Sequence, residues 1–559
     1  MTLMGRPTDG GRSAAWVPLA LVAALAIVAM GPILGNRFAG DAVHLIVRND
    51  RVHSVADFPM RILETYWPQV TLESDGRLYR PLTTIGFSFQ WVFGIGSPLI
   101  YHLTSLALYI VASLLVFALA RRFLPLGPAT LAAGLFAVHP VHVEAVASAT
   151  GQGELMATAF ALLATTTYVD AVARGLTSTR LAVIVGGFGL ACLAHEQALV
   201  LPLLMLVITP LVACSRQPAA RRDDVSRALV ALAAVAVAYL SVRHTVLGSL
   251  VGDLPHPAWD GTPASLRAMT MLAAVPTGLR LLFWPAHLQA DYSPQEIDLA
   301  GGFGEEQVIG LVAMLLFAIV SWWALGRSKP VAAGLLWIAV MILPGSNLFV
   351  PTAKILSEAD LFLPSVGACL IGGGWAAMLG AGRLARIPGV VEGLGAAALV
   401  VLSVGAFAAA QRATVWYDTS ALHGQTVLDA PLSYQAWRDW AAELVRQERD
   451  TEAAGALRRS LSLFDRDPAV YDDLATIERR FGRCDWAVPL YRVALLFDPN
   501  RYPTAVRLVG CLVALRDFAS AREEISRLVS RGRVEYMGLE SVVEEAESDS
   551  SAGPGSAKP

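Results

Sequence analysis

The chain has 559 residues, of which 55% are hydrophobic and only 16% are charged, and its net charge is −3. A soluble globular protein carries about 25% charged residues, so this composition indicates a membrane protein with many spans. The charge balance gives no basic patch of the kind that nucleic acid requires. Five cysteines without a C-x-x-C pair indicate neither a zinc site nor a disulfide framework.

Long apolar segments predict about eleven transmembrane helices. They cover residues 14–34, 99–120, 126–140, 155–173, 181–195, 198–214, 228–247, 308–326, 331–349, 359–380 and 389–411. Residues 269–288 are also apolar, but Pro276, Arg280 and Pro285 favour a re-entrant or interfacial segment. Basic residues cluster at the N-terminus and in alternate connections, so the positive-inside rule places the N-terminus in the cytoplasm. The remaining loops then share the non-cytoplasmic face.

The first long loop on that face carries charged groups close to the membrane. Asp41 follows the first span within a few residues, where a carboxylate could accept a proton from a hydroxyl. A charge that merely flanks the helix is an equally good interpretation of Asp41. Arg77 and Arg80 suit either a substrate phosphate or a lipid headgroup. His102, one turn into the next span, is a candidate substrate contact, although interfacial packing is the commoner role of such a histidine.

A second polar segment begins where the apolar run 131–138 stops. Its polar residues follow in close succession: His139, His142, Glu144, Gln152 and Glu154. Ionisable groups at the mouth of a membrane span are unfavourable there and mark a functional site by default. A polar turn between two helices is the alternative interpretation.

Three further polar pairs lie on predicted loops: His195-Glu196, Asp291-Tyr292 and Lys354 with Glu358. Asp291 and Tyr292 either line a sugar pocket or anchor the segment at the interface, where tyrosine is favoured. Lys354 and Glu358 have the spacing of one helical face, so they either pair with each other or leave Lys354 to contact a lipid phosphate.

The last third of the chain is of another kind. From about Arg412 charges become frequent, and small residues recur with a period of about 34: Ala441 with Ala475, and Ala453 with Ala487 and Ala521. This period is typical of tetratricopeptide helix pairs, which either bind an extended partner in a concave groove or form a structural cap. The tail from Glu544 is acidic and then rich in Ser, Gly and Pro, which predicts disorder.

These patterns predict an all-α protein in three parts. Residues 1–411 form a transmembrane domain, residues 412–543 form tetratricopeptide-like helical repeats, and residues 544–559 form the disordered tail.

Four motifs occur in the order in which one enzyme family has them. They are Tyr79-Arg-Pro-Leu-Thr83, His139-Pro-Val-His-Val-Glu-Ala-Val146, Trp284-Pro…Ala290-Asp-Tyr-Ser293 and Ser346-Asn-Leu-Phe…Leu363-Pro-Ser-Val-Gly367. Together with the repeats, they resemble the protein O-mannosyltransferases that join a membrane domain to tetratricopeptide repeats, and their bacterial relatives. The match covers nearly the whole chain.

The resemblance implies a GT-C fold, whose active site lies in lumenal or periplasmic loops. It also implies a sugar carried on a polyprenyl phosphate as the donor, without a soluble cofactor. The location implied is the inner membrane of a bacterium, with a cytoplasmic N-terminus and periplasmic repeats.

Two acidic residues match the family motifs position by position. Asp41 matches the second acidic residue of the first-loop Asp-Asp pair and would be the general base, and Glu144 matches the glutamate of the His-Pro-Val-His-x-Glu motif. Gly40 stands in place of the first acidic residue.

Other positions depart from the family pattern. Gln152 and Glu154 stand where Arg and Asp are typical, His195 stands where a Lys is typical, and Ala359 replaces an Arg. The missing positive charges are those suited to hold a donor phosphate. Three interpretations stay open: Lys354, Arg77, Arg80 or a protonated His195 substitutes, donor use has changed, or activity has been lost.

The implied reaction moves a sugar, a hexose such as mannose, to a hydroxyl of a protein or glycan acceptor, with the repeat groove as an acceptor surface. The candidate substrate contacts are Arg77, Arg80, His102, His139, His142, Gln152, Glu154, His195, Glu196, Asp291, Tyr292, Lys354 and Glu358. No metal site is predicted, although a divalent metal is compatible with the acidic residues.

Two other functions stay open. A non-catalytic scaffold, in which the membrane domain anchors repeats of an envelope complex, is favoured by the missing arginines. A transporter of lipid-linked sugars is disfavoured, because the polar residues crowd one face instead of following a path through mid-span.

Overall fold

The computed structural model describes residues 16–56, 58–67, 78–212, 218–250, 257–352, 354–530 and 534–551, so the candidate Arg77 lies outside the described residues. Helices and loops make up these residues, and no strand occurs among them, which confirms the predicted all-α class. The chain divides into two compact units. The larger comprises Met1–Pro255, Thr262–Tyr292 and Ala300–Gln425, and the smaller comprises His256–Gly261, Ser293–Leu299 and Thr426–Pro559.

The larger unit consists mainly of long apolar helices. They are α1 (Trp16–Met30), α2 (Pro81–Gly94), α3 (Pro98–Ala120), α4 (Leu126–Ala137), α5 (Val143–Ala147), α6 (Gln152–Arg174), α7 (Ser178–Ala194), α8 (Leu201–Val212), α9 (Pro218–Leu247), α10 (Ala264–Phe283), α11 (Glu305–Leu325), α12 (Lys329–Met341), α13 (Phe362–Ala381) and α14 (Val390–Ala413). Proline begins both α2 and α3, where its fixed φ suits the first helical turn and its missing N–H is not needed.

Eight helices of the described residues are long and apolar enough to cross a membrane, which makes the protein a multi-pass membrane protein. A ninth candidate is the pair Leu126–Ala137 and Pro140–Ala147, which is bent by 45° at the break that contains His139. Pro140 explains the bend, because proline cannot continue the hydrogen bonding of a preceding helix. Three predicted spans coincide with shorter apolar helices, Ser178–Ala194, Glu196–Val212 and Lys329–Met341.

Helix α10 has the length and composition of a span, and buried residues of two other segments contact its ends. Near its start, Arg267 donates a hydrogen bond from Nε to the carbonyl oxygen of Asn347 at 2.7 Å. At its end, the carbonyl oxygen of Leu282 lies 3.1 Å from Nε2 of His139. Asn347 and His139 both lie in predicted non-cytoplasmic loops. By length and composition α10 is one of the eight candidate spans, so the expected re-entrant or interfacial placement stays a prediction.

Glycines allow α12 and α13 to cross closely. A Cβ atom on Gly334 would collide with the carbonyl oxygen of Gly367, and a Cβ atom on Gly367 would collide with that of Gly334. Small residues at such crossings let two backbones approach within a membrane. The crossing holds the start of α13, and with it the segment that contains Lys354 and Glu358.

Helix α15 (Thr419–Asp429) contains the boundary between the units at Gln425 and Thr426. The smaller unit continues with α16 (Tyr434–Arg446), α17 (Asp450–Leu463), α18 (Pro468–Arg480), α19 (Cys484–Phe497), α20 (Tyr502–Ala514), α21 (Phe518–Ser530) and α22 (Gly538–Ser551). Its helix pairs begin 34 residues apart, at Tyr434, Pro468 and Tyr502. The aligned alanines of the sequence repeat are buried where paired helices meet, each with 1% exposure or less.

The end of the chain differs from the expectation of disorder from residue 544. Helix α22 extends to Ser551, so the described part of that tail is helical. Leu539 and Val543 explain the difference, because they are buried in the same apolar core as Ile525 and Leu528 of α21.

Candidate active site

Charged residues gather in two clusters where the helices of the larger unit meet the predicted non-cytoplasmic loops. The Lys354 cluster consists of Asp41, Glu144, Asp291, Tyr292, Lys354 and Glu358. The Arg80 cluster consists of Tyr66, Arg80, Glu154, His195 and Glu196. Both clusters join residues that are far apart in the sequence.

Glu144 is the best-connected carboxylate of the Lys354 cluster. Nζ of Lys354 donates a hydrogen bond to its Oε1 at 2.8 Å, and the backbone N–H of Ala359 donates to its Oε2 at 3.0 Å. The hydroxyl of Ser357 lies 3.4 Å from Oε2. Ala359 begins the helical segment that continues into α13, so the negative carboxylate lies at the positive end of a helix. Glu144 is therefore held in a fixed orientation.

The charges around Lys354 bring Asp41 into the same site. Burial opposes the charged form of Lys354, but the Glu144 carboxylate beside it, together with those of Asp291 and Asp41, raises the pKa of Lys354 above its usual range. All three carboxylates are thus close enough to interact with one ammonium group. The charges of Asp41 and Glu144 thus both act on Lys354, and their assignment to one active site stays a prediction.

Asp41 itself is exposed, and its carboxylate forms no hydrogen bond or ion pair within the described part of the chain. The preceding backbone is fixed by the end of α14: the side chain of Asn36 donates to the carbonyl oxygen of Ala413 at 3.0 Å. Gly40 has φ +55, in the left-handed region, so a side chain at this position would be strained. The position of the family's first acidic residue is therefore shaped for glycine in this chain.

Glu358 ties a second loop to the cluster. Its Oε1 accepts hydrogen bonds from the backbone N–H of Gln289 at 2.6 Å and from the hydroxyl of Tyr292 at 2.8 Å. The residue is 1% exposed, and this burial raises the pKa of the Glu358 carboxyl to about 8. Burial and the neighbouring Glu358 also raise the pKa of Tyr292. Glu358 therefore pairs with this loop, and Lys354 pairs with Glu144.

In the Arg80 cluster, the cation pairs closely with Glu196 and more distantly with Glu154, whose buried Oε2 atom has no hydrogen-bond partner. The Arg80 guanidinium binds Glu196 through two hydrogen bonds, of 3.0 Å and 2.9 Å, and lies 3.9 Å from Glu154. Nε2 of His195 lies 3.3 Å from the same oxygen of Glu154. The ring of Tyr66 lies under the guanidinium of Arg80, 5.3 Å from its carbon atom. Bidentate pairing of this kind orients both partners strongly.

Asp360 connects the two clusters. The amide of Gln197 donates to its backbone oxygen at 3.0 Å. Its carboxylate interacts with the charges of His195 and Glu154 on one side and of Glu144 and Lys354 on the other. The two clusters therefore form one continuous polar surface.

Several predicted substrate contacts lie in packed surroundings. Nε2 of His142 lies 2.7 Å from the hydroxyl of Ser365, and its Nδ1 lies 2.9 Å from the hydroxyl of Tyr109. His142 is fully buried, and His139 contacts Leu282 as described above. Both histidines thus connect helices, so their placement favours a structural role.

Gln152 and His102 are likewise enclosed. Gln152 exchanges amide hydrogen bonds of 2.7 Å and 2.8 Å with Gln90 and donates a third, of 3.0 Å, to the carbonyl oxygen of Tyr101. Nε2 of fully buried His102 lies 3.3 Å from the carbonyl oxygen of Arg37, in the segment that leads to Asp41. Neither side chain presents a group to a substrate, and both support the loops around the site.

Sequence reasoning missed three contributors: Tyr66, Ser357 and Asp360. Ser357 and Asp360 flank Glu358, and their position in that motif was the available signal. Tyr66 carried no local signal, since a tyrosine in a membrane-proximal loop is common. Its hydroxyl interacts with the charges of Arg80, Glu154, Asp41 and Glu196, which places it beside both clusters.

The combined surface is acidic, and Lys354 is the charged amine between its carboxylates. An exposed carboxylate such as Asp41 can accept a proton, whereas a paired cation can stabilise an anion that forms next to it. Among the described residues, no group of three or more His, Cys, Asp or Glu side chains has the arrangement of a metal site.

Comparison with known proteins finds relatives of the predicted kind. The chain is 27% identical to protein O-mannosyl-transferase TMTC3 of Mus musculus over 371 residues, covering 60% of this chain and 40% of that protein. It is 24% identical to protein O-mannosyl-transferase TMTC1 of Homo sapiens over 506 residues, covering 82% of this chain and 56% of that protein. The predicted resemblance to these transferases is therefore confirmed, although the chain spans only about 40% of the length of the TMTC3 relatives.

Two further comparisons complete this result. Among solved structures, the apo oligosaccharyltransferase of Archaeoglobus fulgidus matches with a TM-score of 0.44 and 14% sequence identity, covering 72% of this chain and 56% of that one. No family model matches the chain.

Proposed function

We propose that the protein is a membrane glycosyltransferase that moves a hexose, such as mannose, from a polyprenyl phosphate to an acceptor hydroxyl. The observation that carries this proposal is the 2.8 Å hydrogen bond from Lys354 to Glu144, with Asp291 and Asp41 near enough for their charges to act on Lys354. The relatives are named protein O-mannosyl-transferases, which supports a protein hydroxyl as the acceptor. The enzyme would act in the inner membrane of a bacterium, with the N-terminus in the cytoplasm and the site and repeats facing the periplasm.

The reaction would proceed with inversion at the anomeric carbon. Asp41 accepts the proton of the acceptor hydroxyl, and the oxygen of that hydroxyl forms a bond to the anomeric carbon. The bond from that carbon to the phosphate oxygen breaks, and the polyprenyl phosphate leaves with the electron pair. The transition state has oxocarbenium character, as in glycoside hydrolysis. Because phosphate is a good leaving group, no strong general acid is required.

Other residues of the Lys354 cluster would support this step. Glu144 holds Lys354 in place, and Lys354 stabilises negative charge that develops in the site. Glu358 and Tyr292 hold the loop of Asp291 at the site, where Asp291 and Tyr292 would contact the sugar. The repeats would bind an extended segment of the acceptor in their groove.

The test compares full-length chains in isolated membranes supplied with polyprenyl-phosphate [³H]mannose and endogenous acceptor protein. The unmodified chain should incorporate label, and Asp41→Asn should reduce the rate by about 10²–10⁴-fold, the range for loss of a general base. Asp50→Asn is the matched control, because Asp50 is an exposed aspartate of the same loop. Equal incorporation by Asp41→Asn and the unmodified chain would remove Asp41 from the scheme. Repeating the assay with EDTA measures any need for a divalent metal.

A non-catalytic scaffold is the second candidate, favoured by the complete pairing of Arg80 with Glu196 and Glu154. It predicts that the unmodified chain transfers no label above empty membranes. Under this hypothesis, mass spectrometry should find the same hexose modifications on envelope proteins from cells with and without the gene.

A further inference from the structure

Arg243 is a buried arginine without a carboxylate partner. It lies in the last turns of α9, within the candidate span Arg222–Leu247, and is 5% exposed. Its Nε donates to the carbonyl oxygen of Leu250 at 3.1 Å, and its Nη1 donates to the hydroxyl of Tyr239 at 3.2 Å. No Asp or Glu of the described residues forms an ion pair with it. An arginine within a candidate membrane span is a functional-site candidate.

The other buried arginines of the larger unit are not available to a ligand. Arg80 is occupied by Glu196 and Glu154. Arg61 also has no carboxylate partner among the described residues, but its Nε and Nη1 atoms are buried from solvent. Nη2 of Arg243, by contrast, donates to no residue in the described ranges and is not sealed in this way.

Arg243 borders the polar surface of the site. Its partner Tyr239 packs against Tyr79, with the two ring centroids 5.8 Å apart, and Tyr79 directly precedes Arg80. Arg243 is also close enough to Glu196 for their charges to interact. It therefore lies beside the Arg80 cluster.

Helix α9 lies at the outside of the larger unit. Val230 and Val237 are 69% and 64% exposed, so this side of the helix faces lipid. Arg243 also lies at the end of α9 that is predicted to be non-cytoplasmic, where the positive-inside rule does not favour arginine.

We infer that Arg243 binds the phosphate of the polyprenyl-phosphate donor. The planar guanidinium forms strong, charge-assisted hydrogen bonds with phosphate oxygens. Tyr239 and Leu250 orient it, and Nη2 provides the free donor. This residue supplies positive charge that the family-typical positions of the chain lack. The inference rests on the proposed function, since that function supplies the phosphate.

The experiment measures lipid binding by the full-length chain in phosphatidylcholine nanodiscs. The probes are a polyprenyl monophosphate without sugar, the matching polyprenol without phosphate, and phosphatidic acid as a competitor. The quantity compared is the ratio of the dissociation constants for polyprenol and polyprenyl phosphate. Arg227→Gln is the matched control, because Arg227 lies on the same helix, is exposed, and pairs with Asp224.

The unmodified chain should prefer the polyprenyl phosphate, and Arg243→Gln should reduce that preference by about 10-fold or more, the usual effect of losing a hydrogen bond to a charged group. Binding of polyprenol should not change, and Arg243→Lys should retain part of the preference because it keeps the charge. If the role of Arg243 is only structural, its replacement should weaken the binding of both lipids equally. The ratio of the two dissociation constants therefore separates the two roles even if the variant is less stable.

Three results overturn the inference in distinguishable ways. If the unmodified chain shows no preference for the phosphate, the proposed donor class fails and the role of Arg243 fails with it. If the preference exists and Arg243→Gln keeps it, only the role of Arg243 fails. If phosphatidic acid displaces the probe as well as polyprenyl phosphate does, Arg243 is a contact for ordinary lipid headgroups.

Discussion

The two charged clusters contain similar residues in different states of pairing. In the Arg80 cluster, one guanidinium is bound by two carboxylates, and a histidine contacts one of them. In the Lys354 cluster, one ammonium group is near three carboxylates, and the carboxylate of Asp41 stays exposed to solvent. The first arrangement connects α2, α6 and the segment after α7, whereas the second leaves groups available for chemistry.

This difference in pairing indicates a structural role for the Arg80 cluster and a chemical role for the Lys354 cluster. Buried ion pairs give little net stability but are strongly destabilising when one partner is removed. The Arg80 cluster should therefore respond to mutation mainly by unfolding. The Lys354 cluster should respond mainly by loss of transfer.

The largest expected effect is on stability, from Arg80→Met. The variant leaves Glu196 and Glu154 without their cation and should lower the free energy of unfolding by about 3–5 kcal/mol. Thermal unfolding of the solubilised chain, followed by size-exclusion chromatography, measures this loss. The double variant Arg80→Met, Glu196→Met should recover most of it, because two apolar side chains replace the pair. An unchanged melting temperature for Arg80→Met alone would contradict a holding role for this cluster.

The next effect is on activity, from Glu144→Gln. Loss of the charge frees Lys354 and weakens the orientation of the start of α13, so the transfer rate should fall by about 100-fold, as for loss of one electrostatic contact in a reaction site. The melting temperature should change less than it does for Arg80→Met. The control is Glu392→Gln, an exposed glutamate of α14 that should leave transfer unchanged. Equal rates for both variants would remove the distinction between the clusters.

A smaller effect should follow from Gln152→Leu. This change leaves the amide of Gln90 and the carbonyl oxygen of Tyr101 without their partner, which costs about 1–3 kcal/mol of stability. The double variant Gln90→Leu, Gln152→Leu should be closer to the unmodified chain. The KM for the donor should stay constant in both. A raised KM for the donor without a loss of stability would show that Gln152 contacts the substrate.

The last expected effect concerns pH and Glu358. An unfolded glutamate ionises near its usual pKa of 4.5, whereas the folded carboxyl has a pKa of about 8. The folded state therefore holds one more proton between these values. The stabilising contribution of Glu358 is complete below the usual pKa and is lost as the pH rises toward 8.

Glu358→Gln keeps an oxygen that accepts from Gln289 and Tyr292 but cannot ionise. The variant should lose less thermal stability than the unmodified chain between about pH 5 and pH 8. Melting curves across this range measure the difference, with Glu392→Gln as the control. Parallel curves for the unmodified chain and Glu358→Gln would show that this carboxyl does not titrate there.

Much of the fold followed from the sequence because it depends on local patterns. Apolar runs of sufficient length predicted the membrane helices, including the three that are shorter than a full span. The 34-residue spacing of small residues predicted helix pairs that begin at Tyr434, Pro468 and Tyr502. The end of α22 was missed, because composition alone does not reveal that Leu539 and Val543 reach a core formed by α21.

By itself, the sequence determined that the protein is an all-helical membrane protein with helical repeats, and it predicted that the acidic motif residues lie on one face. Only the tertiary structure decided their partners: Lys354 with Glu144, Glu358 with Tyr292, and Arg80 with Glu196. Helix formation depends on neighbours three or four residues away, whereas these pairs join segments up to 210 residues apart. Which charges meet therefore depends on how the helices pack, and that information is spread over the whole chain.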